Sequence, residues 1–273
     1  MPSARIVARR GPDRPPETMM TAAAMVAEFD DVAGWTADAV RDLGDRYAIP
    51  AACRGSASPI ALAWLAEACE LSRGMRLLDV GAGVGGPAAW AAERFGVRPV
   101  LLEPMPAACR AASTLFGLPV VLADGRWIPL RTASVDAAWC LGVLCTVEEK
   151  ASLLREIHRV LVPGGALGLI VVVARGKRLR RLPDGNHFPA QAELDALLGD
   201  AGFEVVEQID RPAEVPRSWT RRAQEVAAIV EARHSASQAY ALAARQTSRL
   251  ADLLDDGELS MQLIHATNLG STA

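Results

Sequence analysis

From Gly74 onward, short runs of consecutive apolar residues alternate with segments of helical period. The runs fall at 76–80, 99–103, 120–123, 135–140 and 166–173, with helices between them at about 86–95, 107–116 and 148–161. A strand that is apolar at nearly every residue, rather than every second one, is covered on both faces. Strands of that kind joined by helices build a parallel, doubly wound sheet. A further helix at 191–201, a strand at 203–209 and a last strand at 259–269 follow. The apolar half of the 273 residues is enough to fill such a core.

The flanking segments read differently. Residues 1–18 are rich in Arg and Pro and lack a period, which predicts a disordered tail, with Met19 or Met20 as an alternative start. Residues 19–73 form a helical cap. Met25, Val26 and Phe29 share one face, and Trp35, Ala39 and Leu43 another. A third helix opens with Ser58 as cap and Pro59 at its first position, and carries Ile60, Leu62, Trp64, Leu65 and Ala68. Residues 47–57 join these helices as a polar loop. The core spans 74–211. An insertion at 212–257 reads as two amphipathic helices, one with Trp219, Val226, Ile229 and Val230, the other with Tyr240, Leu250, Leu253 and Leu254. Residues 258–273 are the final strand and a tail.

Charge and cysteine usage narrow the function. With 29 basic and 32 acidic residues, the chain lacks the basic excess of a duplex-binding protein. The five cysteines include no C-x-x-C pair, so they offer neither a disulfide framework nor a zinc site and suit a reducing cytosol. The longest apolar run, 167–174, falls far short of the roughly 20 residues of a spanning helix. Pro15, Pro16 and Glu17 stand where a signal peptide would be apolar. The expectation is a cytoplasmic protein with neither nucleic acid nor membrane as partner.

The strongest local signal is Leu77-Leu78-Asp79-Val80-Gly81-Ala82-Gly83-Val84-Gly85-Gly86, between an expected strand and an expected helix. Glycines there let the backbone turn sharply and a ligand approach the main chain. Gly81, Gly83 and Gly86 also satisfy a dinucleotide fingerprint, and a ligand-free turn would use the same residues. Asp79 precedes the first glycine, where a dinucleotide site usually has an apolar residue. Glu103 ends the second strand and can accept ribose hydroxyls of a nicotinamide or an adenosyl cofactor alike. After the third strand, Asp124-Gly125-Arg126-Trp127-Ile128-Pro129-Leu130 offers an acid for the exocyclic amine of adenine and Trp127 or Ile128 to pack on its ring. Leu161-Val162-Pro163-Gly164-Gly165 reads as a turn just before the fifth strand.

Taken in this order and spacing, D-V-G-A-G-V-G-G-P, Glu103, A-D-G-x-x-I-P-L, S-V-D-A-A-W and L-V-P-G-G resemble the class I S-adenosylmethionine-dependent methyltransferases. The likeness is to their metal-independent, small-molecule branch of the ubiquinone-biosynthesis type, and it covers roughly residues 74–203. It implies an α/β, Rossmann-like, doubly wound sheet of seven strands with the last antiparallel, N-terminal helices and a helical lid insertion. It further implies that Asp79, Gly81 and Gly83 hold the amino-acid end of the cofactor, with Ala82 in the same turn. Glu103 would bind the ribose, and Pro104 or Met105 would flank the adenine. Asp124 and Gly125 would contact the base, with Arg126 and Trp127 beside them. Cys140, Leu141 and Gly142 would wall the sulfonium and the departing methyl group.

Methyl transfer from a sulfonium needs alignment and exclusion of water more than acid–base work. His187, in Pro183-Asp184-Gly185-Asn186-His187-Phe188-Pro189 after the fifth strand, is the candidate base. His158 and His265 read as structural and His234 as a surface residue. Trp35, Tyr47, Trp219 and Tyr240 are candidates to face an acceptor beneath the lid, and Arg54 to pair an anionic group on it. The run Arg175-Gly176-Lys177-Arg178-Leu179-Arg180-Arg181 reads as a solvated basic loop. The expected activity is methylation of O, N or C of a small apolar metabolite, of natural-product, quinone or lipid type. The cofactor would be S-adenosyl-L-methionine, leaving S-adenosyl-L-homocysteine, with no metal, in a monomer or homodimer. The alternatives are a nicotinamide-dependent oxidoreductase and a non-methyl reaction such as cyclisation on the same fold.

Overall fold

The computed structural model describes residues 24–53, 57–176, 179, 182–211 and 214–270. The expected tail at 1–18 and most of the basic run after Arg175 lie outside them. Seven strands form one sheet: β1 (Arg76–Val80), β2 (Arg98–Glu103), β3 (Val120–Leu122), β4 (Val135–Leu141), β5 (Leu161–Ala174), β6 (Phe203–Asp210) and β7 (Leu259–Asn268). Their order is β3-β2-β1-β4-β5-β7-β6. Neighbours among the first five pair in parallel, and β7 runs antiparallel to both β5 and β6. The continuous apolar runs are buried as expected, and Leu77, Leu78, Leu101, Leu102, Trp139 and Leu167 are sealed between layers.

Nine helices accompany the sheet among the described residues. They are α1 (Val32–Leu43), α2 (Ala48–Ala52), α3 (Pro59–Ala68), α4 (Gly86–Phe95), α5 (Pro106–Phe116), α6 (Lys150–Val160), α7 (Gln191–Asp200), α8 (Arg217–His234) and α9 (Gln238–Asp255). The Ser58 hydroxyl caps α3 by accepting from the Ala61 amide at 3.1 Å, with Pro59 at the first position.

Three local expectations fail for identifiable reasons. A π-helical turn at Ala27–Asp31 inserts an extra residue ahead of α1, so Met25, Val26 and Phe29 do not form one buried face; Val26 is exposed while Ala24 and Ala27 are buried. The expected loop at 47–57 contains α2, whose alanines are small enough to sink against α4. The expected turn before the fifth strand lies within β5 instead. Val135 pairs with Leu161 and Ala137 with Ala166, so Val162–Gly165 bulges out of a strand that had already begun.

The contact between α2 and α4 is close. A β-carbon on Gly86 would stand 2.6 Å from the Ala52 carbonyl carbon and 2.7 Å from the Cys53 nitrogen, both main-chain atoms. Gly86→Ala is therefore expected to overpack this seam at a cost of about 1–3 kcal/mol. Thermal unfolding should show a Tm lowered by roughly 2–12 °C. An unchanged Tm would mean that the helices separate freely here.

Candidate functional site

In an open parallel sheet, ligands bind at the carboxyl ends of the strands where the order reverses, because the connections leave in opposite directions and open a crevice. Here that point lies between β1, flanked by β2, and β4. The chain leaves β1 through Gly81, whose φ of +68° favours glycine. Its amide, and that of Ala82, donate to the Leu102 carbonyl of β2 at 2.8 and 3.1 Å, which bends the turn toward β2. A side chain on Gly81 would meet Val143, within 2.4 Å of its Cγ2, so the segment after β4 closes directly over the turn. Beside Gly83, in contrast, a β-carbon would meet open space.

Two carboxyl groups stand at this crevice. Asp79 is 1% exposed and its Oδ2 is buried without a hydrogen-bond partner. Burial, with a smaller contribution from the charge of Glu103, pushes its pKa up to about 7. Cys53 and Cys140 lie near enough that Asp79 adds to the burial that already raises their thiols. Glu103, also buried, accepts from the Gly83 amide at 2.7 Å and the Met105 amide at 2.9 Å. Burial raises its pKa, and those two bonds hold it back. Each Glu103 oxygen keeps a further acceptor position.

These features fit an adenosyl sulfonium cofactor carrying an amino acid. An orphaned buried carboxylate suits an ammonium group, a second carboxylate suits vicinal hydroxyls, and Gly83 leaves space between them. They fit a nicotinamide dinucleotide poorly. Asp79 would repel its pyrophosphate, and the main chain of Ala52 and Cys53 fills the space against Gly86.

The remaining expected residues are distributed unevenly. Pro104 and Met105 follow Glu103 directly and open α5. Asp124 is held by Arg126 through its backbone amide at 2.9 Å and its guanidinium at 2.6 Å, and this pairing lowers the Asp124 pKa. Arg126 also bonds Glu149. Gly125 packs against Leu153 and Val80, and Trp127 stands 81% exposed at the same edge. Cys140 and Leu141 end β4, and the Gly142 amide donates to Ile170 of β5 at 2.7 Å.

Of the candidate acceptor residues, Trp219 lines a cavity of about 300 Å3 between α2, the end of β6 and α8. Pro50, Cys53, Arg211, Thr220 and Gln224 line it too, and Cys53 is the wall that it shares with the Asp79 neighbourhood. Trp35 instead stacks on His234, with ring centroids 4.2 Å apart, and Tyr240 packs beside them at 6.5 Å from Trp35. Tyr47 is buried in the cluster beneath these rings, its hydroxyl bonded by Arg46 at 3.1 Å. These three aromatics join helices to one another rather than line that cavity. Arg54 lies outside the described residues. His187 is exposed, and its backbone amide donates to the Cys145 carbonyl at 2.6 Å, bringing its loop to the segment after β4. His158 has a buried Nε2 without a partner and meets Phe203 edge-on at 5.4 Å, away from the crevice.

Asp30 escaped the reading of the sequence. Its Oδ1 accepts from the Ala107 amide at 2.5 Å and the Ala108 amide at 3.3 Å, capping α5 from 77 residues away. The π-helical turn is thereby pinned across the end of the crevice where Glu103 and Met105 lie. A remote cap leaves no local sequence signal.

A methyltransferase-domain family profile matches residues 78–169. A ubiquinone biosynthesis O-methyltransferase from Xanthomonas oryzae pv. oryzae is 30% identical over 170 residues, spanning 54% of this chain and 70% of that protein. The chain belongs to the class I S-adenosylmethionine-dependent methyltransferases. Methyltransferase GfsG from Streptomyces halstedii is 34% identical over 119 residues, or 41% of this methyltransferase and 43% of that protein. The chain spans about half the length of the first curated relatives it matches. Among solved structures, the [4+2]-cyclase SpnF superposes with a TM-score of 0.61 at 27% identity, covering 76% of this chain and 79% of that one. A geranyl diphosphate C-methyltransferase from Streptomyces coelicolor A3(2), solved with Mg2+, geranyl diphosphate and S-adenosyl-L-homocysteine, shares the fold at a TM-score of 0.57 and 17% identity, over 77% and 78% of the two chains. Among the described residues of the methyltransferase, no helix is long and apolar enough to cross a membrane.

The raised pKa of Asp79 has a measurable sign. The folded value, about 7, lies above the ordinary 3.8, so between these limits the folded chain holds a proton that the unfolded chain releases. Stability from this group is greatest below pH 4 and declines as pH rises toward and through 7. Asp79→Asn removes the titration. Its stability relative to the parent should rise by about 2–3 kcal/mol between pH 5 and pH 8. Urea unfolding at both pH values checks this, and a constant difference would contradict it.

Proposed function

We propose that this chain transfers a methyl group from S-adenosyl-L-methionine to O, N or C of a small, mainly apolar acceptor, as a cytoplasmic enzyme of secondary metabolism. The observation that carries the reading is the orphaned, buried Asp79 carboxylate beside a second buried acid at the reversal of strand order. When bound, the cofactor supplies an electrophilic methyl on a positively charged sulfur with a neutral leaving group. Asp79 would hold its ammonium, Glu103 its ribose hydroxyls, and Cys140, Leu141 and Gly142 would wall the reacting centre. The main contributions of the chain are then alignment and exclusion of water. His187, on the loop beside Cys145, would take the acceptor's proton where the acceptor arrives protonated.

The acceptor would sit in the cavity lined by Trp219. Its largely apolar wall suits a ring or chain, and Thr220 and Gln224 are polar residues of its lining. The segments 19–73 and 212–257 would together form the lid. A cyclisation at the same site is the second reading, supported by the 27% identity to the cyclase SpnF.

Calorimetric titration with S-adenosylhomocysteine and, separately, NADH tests the cofactor. Micromolar binding of the first alone is expected, weakened at least tenfold in Glu103→Ala. Binding of NADH instead would overturn the assignment and every site residue with it. Once an acceptor is found, turnover should survive EDTA, since no group of three or more His, Cys, Asp or Glu among the described residues could hold a metal ion. Loss of turnover in EDTA, restored by magnesium, would refute metal-independence.

A further inference from the structure

The loop between β5 and α7 is fastened to α9 by polar contacts of Gln246 and Arg249. Pro183-Asp184-Gly185-Asn186 forms a turn closed by a 3.2 Å bond from the Asn186 amide to the Pro183 carbonyl, with Gly185 at φ +80°. Gln246 of α9, 2% exposed, meets this turn with both ends of its amide. Its Nε2 donates to the Asp184 carbonyl at 2.8 Å, and its Oε1 accepts from the Asp184 amide at 3.1 Å. The side chain thus satisfies both backbone groups of one residue, as a neighbouring strand would. Arg249, one turn further along α9, adds an ion pair to the Asp184 carboxylate at 3.4 Å.

Three residues after Asp184, the His187 amide donates to the Cys145 carbonyl. Cys145 lies in the short 3-10 turn Leu144–Thr146, immediately after Val143, whose side chain closes over Gly81. A continuous set of contacts therefore runs from α9 through Asp184 and His187 to the cofactor turn. We propose that Gln246 is a positioning residue that holds the His187 loop against the segment after β4 and so shapes the wall of the reacting centre. This inference rests on the methyl-transfer reading, because that reading makes the segment after β4 a wall of the reaction. A buried amide with two satisfied partners is specific in direction and distance, whereas an apolar residue of equal size would let the loop slide.

The test is hydrogen–deuterium exchange on the full chain, comparing the parent with Gln246→Met, Gln246→Glu and Arg249→Gln. Gln246→Met keeps the volume and loses both bonds. Protection of amides 184–188 and 144–147 should fall about tenfold while β1, β4 and β5 remain unchanged. Gln246→Glu keeps the acceptor and loses the donor, so an intermediate loss is expected, and it serves where the methionine variant fails to fold. Arg249→Gln keeps the reciprocal bonds but removes the Asp184 ion pair and a 3.4 Å bond from Arg249 to Gln246 Oε1, so a loss smaller than that of Gln246→Met is expected, and an equal or larger one would overturn the proposal. Unaltered exchange in Gln246→Met, or a uniform loss across the sheet with a lowered Tm, would overturn the positioning role. Calorimetry with S-adenosylhomocysteine on the same samples separates the two ideas. No binding to the parent would sink the methyl-transfer reading, and the role of Gln246 in the reaction with it, while the exchange data still measured the tie. Binding to the parent with unchanged exchange in Gln246→Met would sink the positioning role alone.

Discussion

At the carboxyl end of β1, desolvation works against the ionised form of Asp79, and no donor among the described residues offsets it at Oδ2. A core selected for stability alone would place an apolar residue there. The neighbouring parts of the fold can be understood from this position. Strand order reverses beside it, so connections leave toward opposite faces and the crevice stays open. The Gly81 turn bends toward β2, and Glu103 reaches back from the end of β2 to the Gly83 amide. A cationic ligand group meeting Asp79 would replace lost hydration with a paired charge, so part of the cost of burial returns on binding.

The helices outside the sheet are held by the same economy of contacts. Asp30 caps α5 from the N-terminal side, and Gln246 fastens the loop after β5 from α9. Between them, Trp35 stacks on His234 and ties α1 to α8, with an ion pair from Arg233 to Asp42 at 2.6 Å alongside. The exposed pair contributes little by itself. The stack and the two polar ties specify where the helices sit. Each tie holds together segments that are far apart in sequence.

The sheet was legible because its signal is local and repeated. Leu77, Leu78, Leu101, Leu102 and Ala137 to Cys140 are apolar on consecutive residues, and burial on both faces permits that pattern and little else. The acids at the ends of β1 and β2 were legible for a related reason: each interrupts an apolar run where a glycine turn or a helix start follows. Other features depended on partners remote in sequence. The π-helical turn depends on where Asp30 must reach, not on the period of the residues around it. α2 forms where a polar loop was expected, because Ala52 can lie against Gly86. β5 begins before its glycines because Leu161 pairs with Val135 across the sheet. The aromatic residues were the least legible. Trp35, Tyr47 and Tyr240 became inter-helix packing and Trp219 a cavity wall, and nothing in their spacing separates those outcomes.

That asymmetry follows from the chemistry. A cofactor with fixed shape and charge demands the same few groups at the ends of the same strands, so its site is written in contiguous motifs. An acceptor in an in-line displacement demands a direction of approach and a dry cavity, and many sets of side chains supply both. The cavity beside Trp219 takes its walls from α2, the end of β6 and α8, elements that come together only after the sheet has formed. Its boundaries are set by contacts such as Ala52 on Gly86, and its relation to the reacting centre by ties such as Gln246 on Asp184. On the proposed function, changes that retune acceptor choice are therefore expected among residues that position these helices as much as among those that touch the acceptor, while the acids at the ends of β1 and β2 would stay fixed by the cofactor proposed for them.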